Sequence, residues 1–415
     1  MDDVSLLMAA DGQFTAILHN RTGRWRIVEG ADAKGANLEF SKLDDASSPP
    51  RSRVITIFLN NQCNLRCSYC RFEPLTHHAV EHGVIDLARV VSAIYTLSKA
   101  GELIEIHFQG GEPLLQMEAI NEVCESLTNN LGDVRYSFHV TTNGTILNSR
   151  VISIIQQYRI RVTVSLDGIK SEHDQFRIYP NGLGSFDKAL KTISVLQEKS
   201  IPFGIFCVIN DPEKLLDIYD YFVNELGLIS FLLAPRELDG LTSAVEVDNY
   251  LKTFVNGQLK ILERNINRYR DTGERVSENL TETYLRSKIF PGYYSKACGD
   301  TPWSKCGELM HSIERNGDVT ECQNTRLIQT EGNKYIENCL HRFSICESCE
   351  IRGHCSSPVC FSRLAPSFVK EFAASESDAV AYIEKSCRNL KEREMGLFKL
   401  FYERKNDVLK YFFAT

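Results

Sequence analysis

The feature that most constrains the fold is a regular alternation of strand-like and helix-like segments between residues 54 and 271. Runs rich in β-branched and aromatic residues predict six strands, at 54–59, 103–108, 134–140, 160–166, 203–209 and 229–234. Apolar residues at helical spacing predict helices at about 84–100, 114–131, 147–158, 185–199, 212–226 and 246–271. Strands that alternate with helices form parallel βα units, so the fold class is α/β. The order favours an open, partial (βα)6 TIM-like barrel over a flat sheet, although periodicity alone does not separate the two.

Composition and charge restrict the partners of the chain. With 415 residues and 43% hydrophobic content, the chain is long enough for two or three domains. A net charge of -7 gives no electrostatic basis for nucleic-acid binding. No apolar run approaches the roughly 20 residues of a membrane helix, and residues 1–13 lack the basic start of a secretory signal. The sequence therefore predicts a cytoplasmic protein with no nucleic-acid or membrane partner.

The 14 cysteines are distributed unevenly along the chain. In a cytoplasmic protein so many cysteines indicate metal binding rather than a disulfide scaffold. Cys124 and Cys207 are isolated, and we interpret them as small buried hydrophobic residues. The others form two groups, one of three cysteines at 63–70 and one of nine between Cys298 and Cys387. The sequence therefore predicts metal at two places.

The first group follows directly on the first predicted strand, in the stretch NQCNLRCSYC. The carboxyl ends of barrel strands form the active face, so this loop lies on that face. Spacings of three and two residues allow Cys63, Cys67 and Cys70 to turn their sulfur atoms toward one point. Thiolates are soft ligands that suit zinc or an iron–sulfur cluster.

The C-x3-C-x2-C pattern, with the aromatic Tyr69 before its last cysteine, resembles the radical S-adenosylmethionine (radical SAM) superfamily. The resemblance implies that the three cysteines hold a [4Fe–4S] cluster whose fourth iron binds the amino and carboxylate groups of S-adenosylmethionine. It further implies reductive cleavage of that molecule to a 5′-deoxyadenosyl radical, which abstracts hydrogen from the substrate. The missing fourth cysteine is then the position that S-adenosylmethionine occupies.

Motifs after the later strands extend the resemblance. Residues 109–113, QGGEP, are similar to the GGEP motif of the family, in which the glycines allow close approach to the ligand. Glu112 is then expected to accept from the methionyl ammonium, and Ser165 and Arg177 are expected to bind the carboxylate. The resemblance implies cofactor-binding roles for a set of residues at strand ends: Tyr69, Gly110, Gly111, Glu112, Thr142, Asn143, Ser165, Asp167, Arg177 and Asn210.

The second cysteine group resembles the SPASM extension of radical SAM enzymes that modify peptides and proteins. This implies two auxiliary [4Fe–4S] clusters, for a total of three. The first auxiliary cluster would use Cys306, Cys322 and Cys360, with Cys298 as the candidate fourth ligand. The second would use Cys346, Cys349, Cys355 and Cys387. Cys339 has no place in the pattern, and four residues separate Cys355 from Cys360 where the family usually has three. A pair of zinc sites is the alternative.

Enzymes with this extension differ in their substrates. Sulfatase maturases carry an aspartate as base after the cysteine that matches Cys322, whereas this chain has Gln323, which does not take up a proton at neutral pH. Other candidates for a base are Asp318, Glu321 and Glu308. We therefore favour a maturase that binds a precursor peptide with its leader, takes electrons from a flavodoxin or ferredoxin, and installs a crosslink. A carbon–carbon bond of the cyclophane type is favoured over a thioether. The alternatives are formylglycine formation in a sulfatase, epimerisation, decarboxylation, and a non-enzymatic zinc or redox-sensing module.

The predicted organisation has five parts. Residues 14–28 predict an N-terminal β-hairpin, which either caps the barrel or binds the leader by strand addition. The C-terminal segment predicts an amphipathic helix docked on the barrel. The predicted boundaries are 1–50 for the N-terminal extension, 51–245 for the barrel, 246–297 for a helical bridge, 298–388 for the SPASM domain and 389–415 for the C-terminal helix.

Overall fold

A computed structural model of the chain describes residues 4–19, 24–30, 52–70, 85–129, 133–236, 244–289, 310–320, 349–351 and 376–413. Two β-sheets lie within these ranges. The smaller is antiparallel and has the strand order β1-β2-β3. Its strands are β1 Val4–Met8, β2 Phe14–His19 and β3 Trp25–Glu29.

The larger sheet has nine strands in the order β10-β9-β8-β7-β6-β5-β4-β11-β12. All neighbouring pairs are parallel except β11 and β12. In the part of the chain that is described, the order is linear and its two ends do not pair, so the barrel is open. The strands are β4 Ser52–Phe58, β5 Leu103–Gln109, β6 Arg135–Thr142, β7 Arg161–Ser165, β8 Phe203–Ile209, β9 Ser230–Pro235, β10 Ser277–Glu278, β11 Met310–Glu314 and β12 Val319–Thr320.

Helices connect the parallel strands and cover one side of the sheet. They are α1 Leu87–Leu97, α2 Met117–Asn129, α3 Ser149–Gln157, α4 Lys170–Phe176, α5 Phe186–Glu198, α6 Leu215–Asp220, α7 Ala244–Thr272, α8 Asn279–Ile289 and α9 Glu376–Phe412. Short 3-10 turns at Pro113–Gln116 and Pro212–Lys214 precede α2 and α6. The predicted α/β class and parallel sheet are confirmed. The domain boundaries stay a prediction.

The period of two along each strand decides which side chains enter the core. On β5, Ile104, Ile106 and Phe108 are fully buried against the helices. Removing each such side chain from water contributes about 2 kcal/mol to folding. The alternate residues of β5 are half-buried on the opposite, concave face. The core therefore lies between sheet and helices, and polar side chains are displayed inside the open barrel.

The small N-terminal sheet packs on the C-terminal helix. Phe14 stacks on Tyr402 of α9 with ring centroids 5.0 Å apart. The Trp25 ring lies 5.0 Å from Phe398 and 5.1 Å from Phe401, and its indole N–H donates to the carbonyl of Lys288 at 2.7 Å. Helix α9 itself packs on α7 through a shared apolar cluster. The two ends of the chain thus form one packed layer against the helices at positions 244–289.

Several elements differ from the sequence prediction. The N-terminal unit has a third strand, β1, which lies beside β2. Strands β10 and β11 extend the barrel sheet at its two edges, and both pair in parallel with barrel strands. These strands were missed because two or five residues carry too little periodicity to indicate a strand. Their pairing is fixed instead by the edges of the barrel sheet, which otherwise leave backbone groups without partners.

The turn between β11 and β12 gives the first testable prediction. Gly317 has a φ of +85°, and a Cβ there would lie 2.5 Å from Arg89 Cβ and 3.0 Å from the Arg89 carbonyl carbon on α1. Gly317→Ala is therefore expected to lower the free energy of unfolding by roughly 2–3 kcal/mol, through backbone strain and overpacking.

Denaturant unfolding measures this effect, and Gly182→Ala is the matched control. Gly182 has a similar φ of +83° with no atom within 4 Å of its added Cβ, so it reports backbone strain alone. If Gly317→Ala and Gly182→Ala lower the free energy of unfolding equally, the result would contradict the packing of the turn on α1.

Candidate functional site

The carboxyl ends of β4 to β8 meet at one edge of the sheet, and the predicted motifs begin there. The register pairs Phe58 of β4 with Gln109 of β5, and Thr142 of β6 with Val164 of β7. The cysteine loop follows β4, the GGEP motif follows β5, Asn143 follows β6 and Asp167 follows β7 by two residues. Parallel strand order thus brings together motifs that are far apart in sequence.

The GGEP loop is fixed to the segment that leads into the cysteines. Gly111 N donates to Asn60 O at 3.1 Å, and Glu112 N donates to Gln62 O at 2.7 Å. A Cβ on Gly110 would lie 2.4 Å from Asn60 O, and one on Gly111 would lie 1.9 Å from Gln62 O. The two glycines therefore allow the GGEP loop to approach the segment of this chain that leads into the cysteines. Their predicted role at the cofactor stays a prediction.

The carboxylate of Glu112 is buried and bound by its own chain. One oxygen accepts from Leu114 N at 3.0 Å and from Thr142 Oγ1 at 2.7 Å, and the other accepts from Asn143 N at 2.7 Å. Burial raises the pKa of this carboxyl group. Glu112 thus caps the turn at Pro113–Gln116 and joins the ends of β5 and β6. The predicted contact with the methionyl ammonium would use the acceptor capacity that these three bonds leave.

The three cysteines of the first group lie in one loop, near enough for their charges to interact. Burial raises the pKa of Cys63 to about 11 and that of Cys67 to about 12, and the nearby Cys70 thiolate adds to both shifts. All three cysteines are half-buried. Bare thiolates are therefore disfavoured here, and a positively charged partner is needed to keep them ionised.

An amide network holds Cys63. Its sulfur accepts from Leu65 N at 3.4 Å and from Asn143 Nδ2 at 3.8 Å. Asn143 Nδ2 also donates to Asn64 Oδ1 at 2.8 Å, and Asn64 Nδ2 donates to Thr145 Oγ1 at 2.7 Å. Hydrogen bonds to cluster sulfurs are one way in which proteins adjust reduction potential. Asn64 and Thr145 were missed from the sequence, and their adjacency to Cys63 and Asn143 was the available signal.

A second polar cluster lies on the other side of the loop. Tyr69 OH donates to Asp167 Oδ2, and Arg177 donates from Nε to the same oxygen at 2.9 Å. The other carboxylate oxygen accepts from Arg177 Nη2 at 3.2 Å and from Val208 N at 3.0 Å. Asp167 and Arg177 are both buried, with 1% and 7% of their surface exposed. The structure thus pairs Arg177 with Asp167, whereas its predicted partner was the cofactor carboxylate.

His173 supports this cluster from behind. Its Nδ1 accepts from Asp167 N at 3.1 Å, so Nε2 carries the proton and donates to Ser185 Oγ at 2.9 Å. Ser185 Oγ in turn donates to Arg177 O at 2.8 Å. The histidine is fully buried. Its neutral tautomer is therefore part of the packing that fixes residues 167–185.

This histidine predicts a pH dependence of stability. Burial lowers the pKa of His173 to about 4, from its ordinary value of 6.5. The unfolded chain therefore binds a proton that the folded chain does not between these pH values. The stabilising contribution is complete above pH 6.5 and is lost as the pH falls toward about 4, by roughly 2 kcal/mol between pH 7 and 5.

Urea unfolding at the two pH values measures this loss. Burial also lowers the pKa of His139 to about 4, so His173→Gln is expected to reduce the pH dependence without removing it. An unchanged difference between pH 7 and pH 5 in the variant would contradict the role of His173.

The other predicted site residues fall into three sets. Ser165 is buried at the end of β7, and Asn210 is half-buried directly after β8, so both lie at the same edge of the sheet. Asp318 is exposed in the turn between β11 and β12, bonded to Asn316. The remaining predicted positions lie outside the described residues: Cys298, Cys306, Glu308, Glu321, Cys322, Gln323, Cys339, Cys346, Cys355 and Cys360.

Two cysteines predicted for one auxiliary cluster, Cys349 and Cys387, lie in the described residues. Glu350, which follows Cys349, lies 3.5 Å from Lys391 Nζ of α9, one helical turn after Cys387. The two cysteines themselves pack against different apolar clusters, and their ligand roles stay predictions.

The donor chemistry of the first cysteine group suits a [4Fe–4S] cluster with one open iron. Its three cysteines lie in one loop, burial opposes ionisation of Cys63 and Cys67 by raising their pKa values, and two N–H groups donate to the Cys63 sulfur. In the described residues the three side chains are not gathered into a metal-binding geometry. A group of three soft ligands suits iron–sulfur chemistry and leaves one coordination position for another molecule.

Comparison with known proteins gives the family. The Radical SAM superfamily model matches residues 57–222. A cysteine-type anaerobic sulfatase-maturating enzyme of Clostridium novyi is 31% identical over 279 residues, which cover 63% of this chain and 71% of that protein. The radical SAM cyclopropyl synthase TigE of Paramaledivibacter caminithermalis is 24% identical over 394 residues, 87% of this chain and 78% of that protein.

A solved structure agrees with the fold. Native anSMEcpe with bound AdoMet superposes with a TM-score of 0.64 at 20% identity and covers 86% of this chain and 100% of that one. Because the Radical SAM superfamily model matches residues 57–222 and the Clostridium novyi enzyme is 31% identical with 71% of its length covered, the chain belongs to the radical SAM superfamily.

Proposed function

We propose that this radical SAM enzyme is a maturase of a ribosomally made precursor peptide and installs a crosslink in it. The observation that carries the proposal is the open barrel, since β10 and β12 end the sheet without pairing to each other in the described residues. An opening beside the strand ends gives a long substrate room to present one side chain to the site.

The relatives support a peptide substrate. The likeness to TigE extends over 87% of the chain, well beyond the barrel, and the likeness to the sulfatase-maturating enzyme covers 63%. A second structure of the same fold, with a TM-score of 0.63, is native anSMEcpe with bound AdoMet and the Cp18Cys peptide. Side-chain carbon–carbon crosslinking of the cyclophane type is our favoured reaction, ahead of a thioether.

Different residues at this edge of the sheet have different proposed roles. We assign Cys63, Cys67 and Cys70 as cluster ligands, with Asn143 donating to the Cys63 sulfur. The cluster, when bound with S-adenosylmethionine, supplies a 5′-deoxyadenosyl radical. We also assign cofactor contacts to Ser165 at the end of β7 and to Asn210 directly after β8. The proposed auxiliary ligands are those of the second cysteine group, and the proposed electron donor is a flavodoxin or ferredoxin.

Sulfatase maturation is the second candidate, favoured by the 31% identity to the Clostridium novyi enzyme. Gln323 disfavours it, because that position carries an aspartate base in the maturases that the chain resembles. Asp318 gives no support for a replacement base, because it is exposed in a turn and its carboxylate accepts from Asn316 Nδ2.

Mass spectrometry separates the two functions. The enzyme is co-expressed anaerobically with each short open reading frame encoded beside its gene, and separately with a cysteine-containing sulfatase peptide. A crosslink shows as the loss of two hydrogens from a neighbouring peptide, with fragmentation blocked between the joined residues. Formation of an aldehyde in the sulfatase peptide, with the neighbouring peptides unchanged, would overturn the proposal.

No helix in the described ranges is both long enough and apolar enough to span a bilayer.

A further inference from the structure

Three polar side chains beside Cys63 form a closed set of hydrogen bonds. Asn143 Nδ2 donates to Asn64 Oδ1 at 2.8 Å, Asn64 Nδ2 donates to Thr145 Oγ1 at 2.7 Å, and Thr145 Oγ1 donates to Asn143 Oδ1 at 2.7 Å. Bonds that run head to tail in this way polarise and strengthen one another. We name these three residues, Asn64, Asn143 and Thr145, the amide triangle. It joins the loop after β4 to the loop after β6.

One backbone group determines the direction of every bond in the amide triangle. Thr145 N can only donate, and it lies 3.0 Å from Asn143 Oδ1, so that atom is the carbonyl oxygen of the side chain. The amide nitrogen of Asn143 then faces the other way, toward Asn64 Oδ1 and the Cys63 sulfur. The reversed amide would place its NH2 group against the Thr145 N–H. The backbone of the loop after β6 therefore requires that Asn143 presents a donor to Cys63.

The main chain of Asn143 is held separately from its side chain. Asn143 N donates to Glu112 Oε2 at 2.7 Å, and the next residue, Gly144, donates from N to Thr142 Oγ1 at 3.1 Å. Asn143 is buried, with 8% of its surface exposed. The ends of β5 and β6 thus fix the position of the residue, and the amide triangle fixes the direction of its amide group.

The Cys63 sulfur accepts from two N–H groups, Asn143 Nδ2 at 3.8 Å and Leu65 N at 3.4 Å. Burial raises the pKa of the Cys63 thiol to about 11, and both of these bonds act in the opposite direction, so they favour the negatively charged sulfur. A reduced [4Fe–4S] cluster carries one more negative charge than the oxidised cluster. Donors to a ligand sulfur therefore stabilise the reduced form more, which raises the reduction potential.

We propose that Asn64 and Thr145 are positioning residues, which hold the Asn143 amide toward the Cys63 sulfur, and that this amide raises the reduction potential of the cluster at the three cysteines. The proposal rests on that proposed cluster. It adds to the cofactor contact that the sequence predicts for Asn143, and it gives roles to two residues that the sequence analysis missed. A higher potential makes the electron that starts each turnover easier to supply.

The test is an anaerobic redox titration of the reconstituted full chain, followed by electron paramagnetic resonance without S-adenosylmethionine. Thr145→Val keeps the branched shape and the backbone N–H but removes the hydroxyl, so Asn64 loses its acceptor and Asn143 Oδ1 loses one of two donors. Asn143→Leu removes the donor to sulfur itself. At the wild-type midpoint potential we expect the ratio of reduced to oxidised cluster to fall about threefold in Thr145→Val and about tenfold in Asn143→Leu, the latter equal to about 59 mV for a one-electron couple.

Two control variants separate this effect from a change in the fold. Thr145→Ser restores the hydroxyl and should titrate like the wild type. Thr128→Val makes the same chemical change on α2, where Thr128 Oγ1 donates to Cys124 O at 2.6 Å, and should also keep the wild-type midpoint. Because the midpoint is measured on the clusters that remain intact, a variant that only loses iron leaves it unchanged.

Wild-type midpoints in both Thr145→Val and Asn143→Leu would overturn the proposal, and so would a shift to higher potential. A shift in Asn143→Leu alone would overturn the positioning roles of Asn64 and Thr145. If the wild type holds no iron, the proposed function fails and the amide triangle fails with it. If the wild type holds a cluster and cleaves S-adenosylmethionine while the variants titrate like it, the proposal for the amide triangle alone fails.

Discussion

Cys67→Ala is expected to abolish reductive cleavage of S-adenosylmethionine and to remove the iron of one cluster. Cys67 lies within the loop that Arg66 and Ser68 tie to segment 176–178, where burial raises the pKa of its thiol to about 12. Two remaining thiols cannot complete a site that leaves only one iron open. The measurements are iron content and formation of 5′-deoxyadenosine under anaerobic conditions with dithionite as reductant.

Cys124→Ala is the control for this variant. Cys124 is an isolated cysteine on α2, fully buried in the core of the barrel. Its replacement removes a thiol of the same chain and costs about 1 kcal/mol of stability as a core truncation. Iron and cleavage should be retained. A Cys67→Ala protein that still cleaves S-adenosylmethionine would contradict the assignment of the ligands.

Gly111→Ala is expected to have the second-largest effect. The added Cβ would lie 1.9 Å from Gln62 O, 2.4 Å from the Gln62 carbonyl carbon and 3.0 Å from Cys63 N. All three are backbone atoms, so the cysteine loop itself must shift. We expect the free energy of unfolding to fall by roughly 3 kcal/mol and the iron content to fall with it.

Gly204→Ala is the matched control for Gly111→Ala. The nearest atom to an added Cβ at Gly204 is Thr163 Oγ1 at 3.9 Å, which is ordinary contact. Its stability should change by less than about 1 kcal/mol. Normal iron content in Gly111→Ala would show that the GGEP loop does not determine the position of the cysteines.

The sequence predicted the barrel well because the alternation of strand-like and helix-like segments is repeated along residues 54–271. Each predicted strand from 54 to 234 overlaps an observed strand, with ends that differ by at most two residues. Each pairs with its sequence neighbour in parallel, so the positions of the motifs at the strand ends follow from topology. The isolated Cys124 and Cys207 are buried in the core, as their spacing indicated.

The roles of individual site residues were harder to predict. Arg177 follows the SLDG and HD stretches and resembles a ligand-binding arginine, but nothing in one sequence shows that Asp167 faces it. Glu112 likewise resembles an acceptor for the cofactor, and the structure shows three bonds from its own chain. Such pairings depend on how loops fold over the sheet edge, and a linear pattern does not contain that information.

Because a linear pattern does not show tertiary pairings, the sequence also failed to predict β10 and β11 at the two edges of the sheet. Strand β11 lies beside β4, more than 250 positions earlier in the chain, and its register pairs Glu314 with Phe58. The pairing places the turn after β11 at the same edge as the cysteine loop. Since Cys322 comes shortly after β12, this hairpin is a direct connection between the barrel and the second cysteine group.

Formation of 5′-deoxyadenosine tests the central claim most directly. The full chain is purified and reconstituted without oxygen, reduced with dithionite and mixed with S-adenosylmethionine. A brown protein that holds about 12 irons and produces 5′-deoxyadenosine is the predicted result, with loss of the product in Cys67→Ala. A colourless protein that holds zinc and leaves S-adenosylmethionine intact would contradict the assignment of radical chemistry to this chain.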